Sequence, residues 1–206
     1  MKTFPAIALI ELDSIARGAL TGDAMVKKAP IELLRSGTVH RGKYLVLVGG
    51  TVAAVEESFE EGLRVAGDRL VDRVILPDVH EQVHDAVLGA RRAEADDALG
   101  VIETSTVAAT IHAADAGVKG AAVTVKEIRL ADGLGGKGIV LFTGKVADVE
   151  AAVAIGTGVL SEHKCDVCTT VIPSLHAEMI SNMIETSRFF YAVRPADRPG
   201  GVPEEG

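Results

Sequence analysis

The chain has no tryptophan, only two cysteines, and 3% aromatic residues in a length of 206. Stacking sites for bases or sugars need aromatic platforms, so this scarcity argues against recognition of that kind. The two cysteines, Cys165 and Cys168, lie on one short stretch and cannot staple a fold. Positive charge is also in deficit. A net charge of −8 with scattered basic residues excludes nucleic acid and an anionic membrane surface as partners. No uninterrupted apolar run approaches the roughly 20 residues of a membrane span, and no charged-then-apolar leader opens the sequence. A cytoplasmic protein is expected. Ala, Val, Ile and Gly are plentiful instead, and 48% hydrophobic residues suffice for one sizeable core or two small ones.

One stretch, "GLGGKG" at residues 133–138, matches the dinucleotide pattern G-x-G-x-x-G. That pattern works only between a strand and a helix whose N-terminus faces the pyrophosphate. Here it runs into "IVLFTG", which reads as a buried strand. A P-loop fails as well, because Gly136-Lys137 is followed by Gly138 rather than by Ser or Thr.

The chain is written twice. Residues 8–29 align with 100–121, pairing Glu11 with Glu103, Asp23 with Asp115 and Lys27 with Lys119. Residues 41–57 align with 135–151, setting Gly42-Lys43 against Gly136-Lys137, and residues 74–83 align with 170–179, setting Pro77 and His80 against Pro173 and His176. Three blocks in one order identify an internal repeat. In the first copy the G-x-G-x-x-G pattern is gone. A Gly-Lys pair ahead of a strand survives, which is a demand on backbone shape rather than on phosphate chemistry.

Each copy reads as β-α-β-β-α-β-α. Its first helix carries an expected buried stripe of Ile15, Ala19, Gly22 and Val26, repeated as Val107, Ile111, Ala114 and Val118. The fold class is α+β: two tandem ferredoxin-like domains, each a four-stranded antiparallel sheet with flanking helices. The domains are expected at 6–88 and 99–185, joined by a charged linker at 89–98. The Pro- and Gly-rich residues 186–206 read as a disordered tail.

The blocks "IELDSIARGALTGDAMVKKA", "RGKYLVLVGGTVAAVEES", "VIETSTVAATIHAADAGVKGA", "GLGGKGIVLFTGKVADVEAAV" and "VIPSLHAEM" resemble the tandem-domain, trimer-forming shell proteins of bacterial microcompartments, most closely the propanediol-utilisation branch. The resemblance spans about residues 6–184. It implies a homotrimer with a pseudohexameric outline, because a doubled chain needs three copies to close the ring that a single-domain relative closes with six. It also implies lateral packing against other shell proteins, a place in the microcompartment shell, passive transport of small metabolites through a central pore, and no catalysis. The pore would be lined by Ser36, Gly37, Thr38, Val39, His40, Arg41 and Gly42 of the first domain and by Asp132, Gly133, Leu134, Gly135 and Gly136 of the second. The tile edge would carry Lys27 and Lys119. The family often has an arginine between the proline and histidine of its last motif; here "PDVH" and "PSLH" place Asp78 and Ser174 in that region, a departure at the edge contact.

His40 stands where the propanediol branch can carry a cysteine that joins an iron–sulfur cluster on the threefold axis. Three imidazoles there suit Zn, Cu or Ni better than such a cluster, so a metal-binding or electron-transfer shell protein is the alternative to a polar pore rim without cofactor. A ferredoxin-like enzyme or small-molecule sensor would need a cluster of converging polar groups that the repeats do not supply. Cys165 and Cys168, with His163 nearby, lack a second ligand pair and read as buried thiols in a strand. His80 and His176 read as helix-start residues, Glu11 and Glu103 as strand ends, and His84, His112 and the "EESFEE" charges as solvated faces.

Overall fold

A computed structural model describes residues 4–92 and 98–185. Part of the expected linker, 93–97, and the expected tail lie outside the described residues. The first copy contains β1 (Ala6–Leu12), α1 (Ile15–Lys28), β2 (Leu33–Val39), a 3-10 turn (His40–Gly42), β3 (Lys43–Gly50), α2 (Val52–Ala66), β4 (Leu70–Leu76) and α3 (Glu81–Val87). The second contains β5 (Ala98–Thr104), α4 (Val107–Gly120), β6 (Thr124–Leu130), β7 (Gly138–Gly144), α5 (Val146–Gly158), β8 (Val167–Ile172) and α6 (Ala177–Glu185). Both sheets are antiparallel and share one topology, β2-β3-β1-β4 and β6-β7-β5-β8.

Local chemistry sets the helix starts. Side-chain oxygens of Ser14 and Thr51 accept the N–H groups of Arg17 and Ala54 at the openings of α1 and α2, which satisfies donors that have no partner within the helix. His80 and His176 do the same with Nδ1, accepting from Gln82 and Glu178, as their reading as helix-start residues required.

β1 is buried along its whole length because it is flanked by strands on both edges and covered on both faces. Its alternate residues Ala6, Ala8, Ile10 and Leu12 join Met25, Val55 and Phe59 beneath α1 and α2. Ile7 and Leu9 point the other way, into an apolar cluster that continues through Val83 of α3 to Ile111 and Phe142 of the second copy. One apolar cluster therefore spans both halves, and the cluster beneath α1 and α2 belongs to the first copy alone. α4 lies at their junction, packed against β4, α3 and β1 of the first copy as well as its own sheet.

Four expectations are corrected. Ile15, Ala19 and Val26 are exposed on α1, and the buried face is Gly18, Thr21, Gly22 and Met25. In α4 the corresponding stripe of Val107, Ile111, Ala114 and Val118 is buried as expected. The resemblance implies that Ser36 to Gly42 line the pore as one loop between strands, but Ser36 to Val39 are the second half of β2, paired from Ser36↔Val46 to Val39↔Lys43, so the turn proper is only His40–Gly42. Cys168 is exposed and Cys165, which precedes β8, is half-buried, because β8 is the outer strand of its sheet, paired on one edge only. His84 is buried against Phe4 and His112 is hydrogen-bonded at the junction, so neither belongs to a solvated face.

Candidate functional site

The turns ahead of β3 and β7 come from different domains yet lie side by side. Nδ1 of His40 accepts the N–H of Gly133 at 3.3 Å and sits 3.7 Å from a carboxylate oxygen of Asp132. A Cβ on Gly136 would approach the His40 carbonyl oxygen to 3.3 Å, and one on Gly135 would lie 3.6 Å from Nε of Arg41. Gly42, Gly133, Gly135 and Gly136 all have φ between 63° and 85°, the left-handed region where a side chain is strained. Backbone shape thus demands these glycines within one chain. Arg41, at φ 66°, accepts the same geometry with a side chain. All the expected pore residues except Gly136 are at least partly exposed, on one continuous rim. Nδ1 of His40 is the acceptor of that hydrogen bond, so a metal bound through Nδ1 would have to displace the Gly133 N–H.

Behind the rim stands a buried group that the repeat alignment contained but whose role it did not reveal. Glu11, fully buried, accepts Nζ–H of Lys43 at 2.6 Å with one oxygen and, with the other, the N–H of Val107 at 2.8 Å. It is the N-terminal cap of α4, supplied by the other domain. Lys43 also donates to the carbonyls of Ser105 and Gly136, at 3.3 and 3.5 Å, so this pair ties two segments of the second domain, the β5–α4 joint and the turn ahead of β7, to the first. Burial pushes the Glu11 carboxyl above its ordinary range, against the opposing pull of Lys43. The equivalent pair, Glu103 and Lys137 at 2.6 Å, is roughly half-exposed, at 40% and 50%, and among the described residues Glu103 caps no helix.

Further along the seam, Asp115 of α4 accepts the N–H of His80 at 2.7 Å and pairs with Lys119 at 2.6 Å. Lys119 also donates to the carbonyl of Asp78. The matching Lys27 reaches only Asp23, at 2.6 Å on the exposed surface of α1. At the far end of the seam, Nδ1 of His163 lies 2.9 Å from each carboxylate oxygen of Asp72, and its Nε2 lies 2.9 Å from Nδ1 of His112. Thr106 donates its hydroxyl to Asp72. Burial would raise the Asp72 pKa, but hydrogen bonds from His163 and Thr106 outweigh it and hold the carboxyl below its ordinary range. Nothing in the hydrophobic periodicity marks Asp72, His112 or His163. Among the described residues no three His, Cys, Asp or Glu side chains gather as a metal site, and no helix is long and apolar enough to cross a membrane.

Two sheets of identical topology, joined by one seam and ending in paired turns on one rim, define a tandem assembly module. The BMC domain profile matches residues 6–79 and again 98–175. The chain is 41% identical over 180 residues to the bacterial microcompartment shell protein PduT of Citrobacter freundii, covering 87% of this chain and 98% of that one. A crystal structure of a microcompartment protein from Desulfitobacterium hafniense is 44% identical and superposes with a TM-score of 0.74, over 84% of this chain and 97% of that one. The fused permuted hexameric shell protein MSM0275 of the RMM microcompartment shares the fold at 22% identity and a TM-score of 0.57, over 76% of this chain and 84% of that one. The chain therefore belongs to the BMC-domain family. It is a bacterial microcompartment shell protein with two such domains in tandem.

Proposed function

We propose that three copies of this chain close into a pseudohexagonal shell tile that packs laterally against other shell proteins, with the paired turns of each copy around a central opening for small metabolites, and with no catalytic step. One observation carries this reading. The face of α4 that the first domain covers is left uncovered on α1, where Ile15, Leu20 and Val26 are 48%, 52% and 43% exposed. The surface that would cover it also stands open: β8 and the first turn of α6, Ala177 to Met179, are largely exposed, whereas their counterparts β4 and α3 are packed against α4. Each chain thus holds one completed seam and both halves of a second. Repeating the internal seam between copies would let Glu103 accept the Ile15 N–H of the next copy, as Glu11 accepts that of Val107. Such a contact is head-to-tail, and its closure gives a ring.

In that ring the rim would alternate Arg41 and Asp132, the latter beside His40. Their charges offset one another, so the opening selects by size and hydrogen bonding more than by charge. Of the two lysines considered for the tile edge, Lys27 is the more available, since Lys119 is engaged within the seam. Sedimentation of the purified full chain tests the reading. A trimer at micromolar concentration is expected, and a stable monomer would overturn it.

A further inference from the structure

The chain Asp72, His163, His112 crosses the seam from β4 of the first domain, through the segment before β8, to α4. It belongs neither to the rim nor to the lateral edge. The two imidazole centroids are 5.2 Å apart with the facing nitrogens at 2.9 Å, a separation reached when those nitrogens lie nearly on the line joining the centroids. Such a head-on approach is that of an N–H···N hydrogen bond, whereas two nitrogens on one metal ion meet at an angle and bring the rings closer. Proton positions follow in sequence. Asp72 accepts Nδ1–H of His163, His163 accepts at Nε2 the Nδ1–H of His112, and Nε2 of His112 is left as the open acceptor. A cavity of about 180 Å³ adjoins the chain, bordered by Phe59, Arg73, Ile75, His112, Glu162 and His163.

We propose that Asp72, His163 and His112 form a proton-operated latch on the seam between the two domains, closed while the imidazoles share a hydrogen-bonding proton and opened when each ring carries its own charge. A first added proton enters at Nε2 of His112 and can pass along the chain to His163, where the Asp72 carboxylate balances it. A second places N–H against N–H, and the bond across the pair is lost. Other charges face the chain from every side. Asp115 of α4 is held by Lys119 and the N–H of His80, Glu11 of β1 is held by Lys43, and Arg73 of β4 donates its N–H to Asp72. Glu162, Asp166 and the Cys165 thiol lie on the segment ahead of β8. Asp115, Glu162 and Asp72 favour a charge on His112, but burial, with the His163 charge second, outweighs them and lowers the His112 pKa. A histidine shifted down is stabilising when neutral. Its contribution is complete above the ordinary value of about 6.5 and is lost as the pH falls below it. Asp72, itself held low, remains charged across that window.

The other seam has no such device. Leu20 aligns with His112, and Cys168 holds the register position of Asp72, each facing the buried or half-buried glutamate of its own sheet. The latch therefore makes the waist of each chain acid-sensitive without depending on the ring. The test compares thermal unfolding of the full-length parent with His112→Leu, which installs the residue of the other copy, at about pH 7.5 and about pH 5.5. Between those values the parent should lose roughly 3 °C or more beyond the loss in the variant. Parallel losses would overturn the latch. Should His112→Leu fail to fold, histidine nitrogen NMR of the parent decides: at neutral pH the latch requires protons on Nδ1 of both His112 and His163, and a His112 protonated on Nε2 would overturn it.

Discussion

Helices α1 and α4 occupy the same place in two copies of one domain, yet one shows its apolar stripe to solvent and the other buries it. Val107 and Val118 are 0% and 6% exposed, while Ile15 and Val26, their counterparts, are 48% and 43% exposed. Intrinsic periodicity cannot produce this difference, because the stripe is written in both helices. The neighbour produces it: β4 and α3 cover α4, whereas among the described residues nothing comparable covers the stripe of α1. The chain therefore displays one closed seam and, on the proposed reading, the two open faces of another.

The largest expected effect comes from the two glutamates. Glu11→Ala strands the partly buried Lys43 ammonium and uncaps α4 in one step, so it should destabilise the chain by about 3 kcal/mol or more, read from urea unfolding. Glu103→Ala should cost the isolated chain less than about 1 kcal/mol, since an exposed pair contributes little, yet should weaken the trimer on sedimentation. Equal effects of the two variants on chain stability would erase the distinction between the closed and open seams.

Leu20→Asp carries the comparison to the stripe. Placed on an exposed face, the carboxylate should shift chain stability by no more than about 0.5 kcal/mol. Buried between copies without a partner, it should convert the trimer to monomers with an unchanged circular dichroism spectrum. On α4 the same change inside the covered stripe, Ile111→Asp, should prevent folding altogether, because Ile111 is fully buried. A Leu20→Asp trimer as tight as the parent would mean that this face of α1 is not covered in the assembly.

These contrasts also explain what could be read from the sequence. The repeat, the element order and the topology were legible because both copies carry the same strand and helix periods and the same Gly-Lys punctuation. The stripe Ile15, Ala19, Val26 was read as core. In one chain it is surface, since periodicity records that a face is apolar but not which molecule covers it. The resemblance groups Ser36 to Val39 with the turn that lines the pore, but these residues pair with β3 through the main chain, which needs no apolar alternation. The thiols at Cys165 and Cys168 looked buried because strand character was legible and the edge position of β8 was not. The seam polar groups were the hardest to read. Glu11 and Lys43 recur as Glu103 and Lys137, but only contact between domains shows that one carboxylate caps the helix of the other. Asp72, His163 and His112 are separated in sequence and do not recur.

A smaller effect tests the rims. Gly42 and Gly136 hold equivalent positive-φ positions, at 73° and 85°, but a Cβ on Gly42 meets nothing within 4 Å, whereas one on Gly136 meets His40. In the monomer, Gly42→Ala should cost only the left-handed strain, about 1 kcal/mol. Gly136→Ala should cost more. If copies repeat the internal contact, Gly42→Ala should carry that additional cost only in the trimer, as a larger drop in melting temperature relative to the parent under trimeric than under monomeric conditions.

The smallest effect on stability is expected at Lys27. Its partner Asp23 lies one turn earlier on α1, and both side chains are mostly in water, at 74% and 54% exposure, so Lys27→Ala should change unfolding free energy by no more than about 0.5 kcal/mol. Lys119→Ala should cost more, about 1–2 kcal/mol, because it leaves the buried Asp115 with one partner fewer and releases the Asp78 carbonyl. If Lys27 forms its counterpart's contacts within the trimer, replacing it lowers trimer affinity. If it projects from the tile edge, the trimer is intact and what weakens is sheet formation between tiles, visible by negative-stain electron microscopy. The two outcomes place the same lysine on different borders of the tile, and sedimentation followed by microscopy of one variant distinguishes them. Sheets that form as readily as those of the parent, from trimers equally tight, would remove Lys27 from both borders.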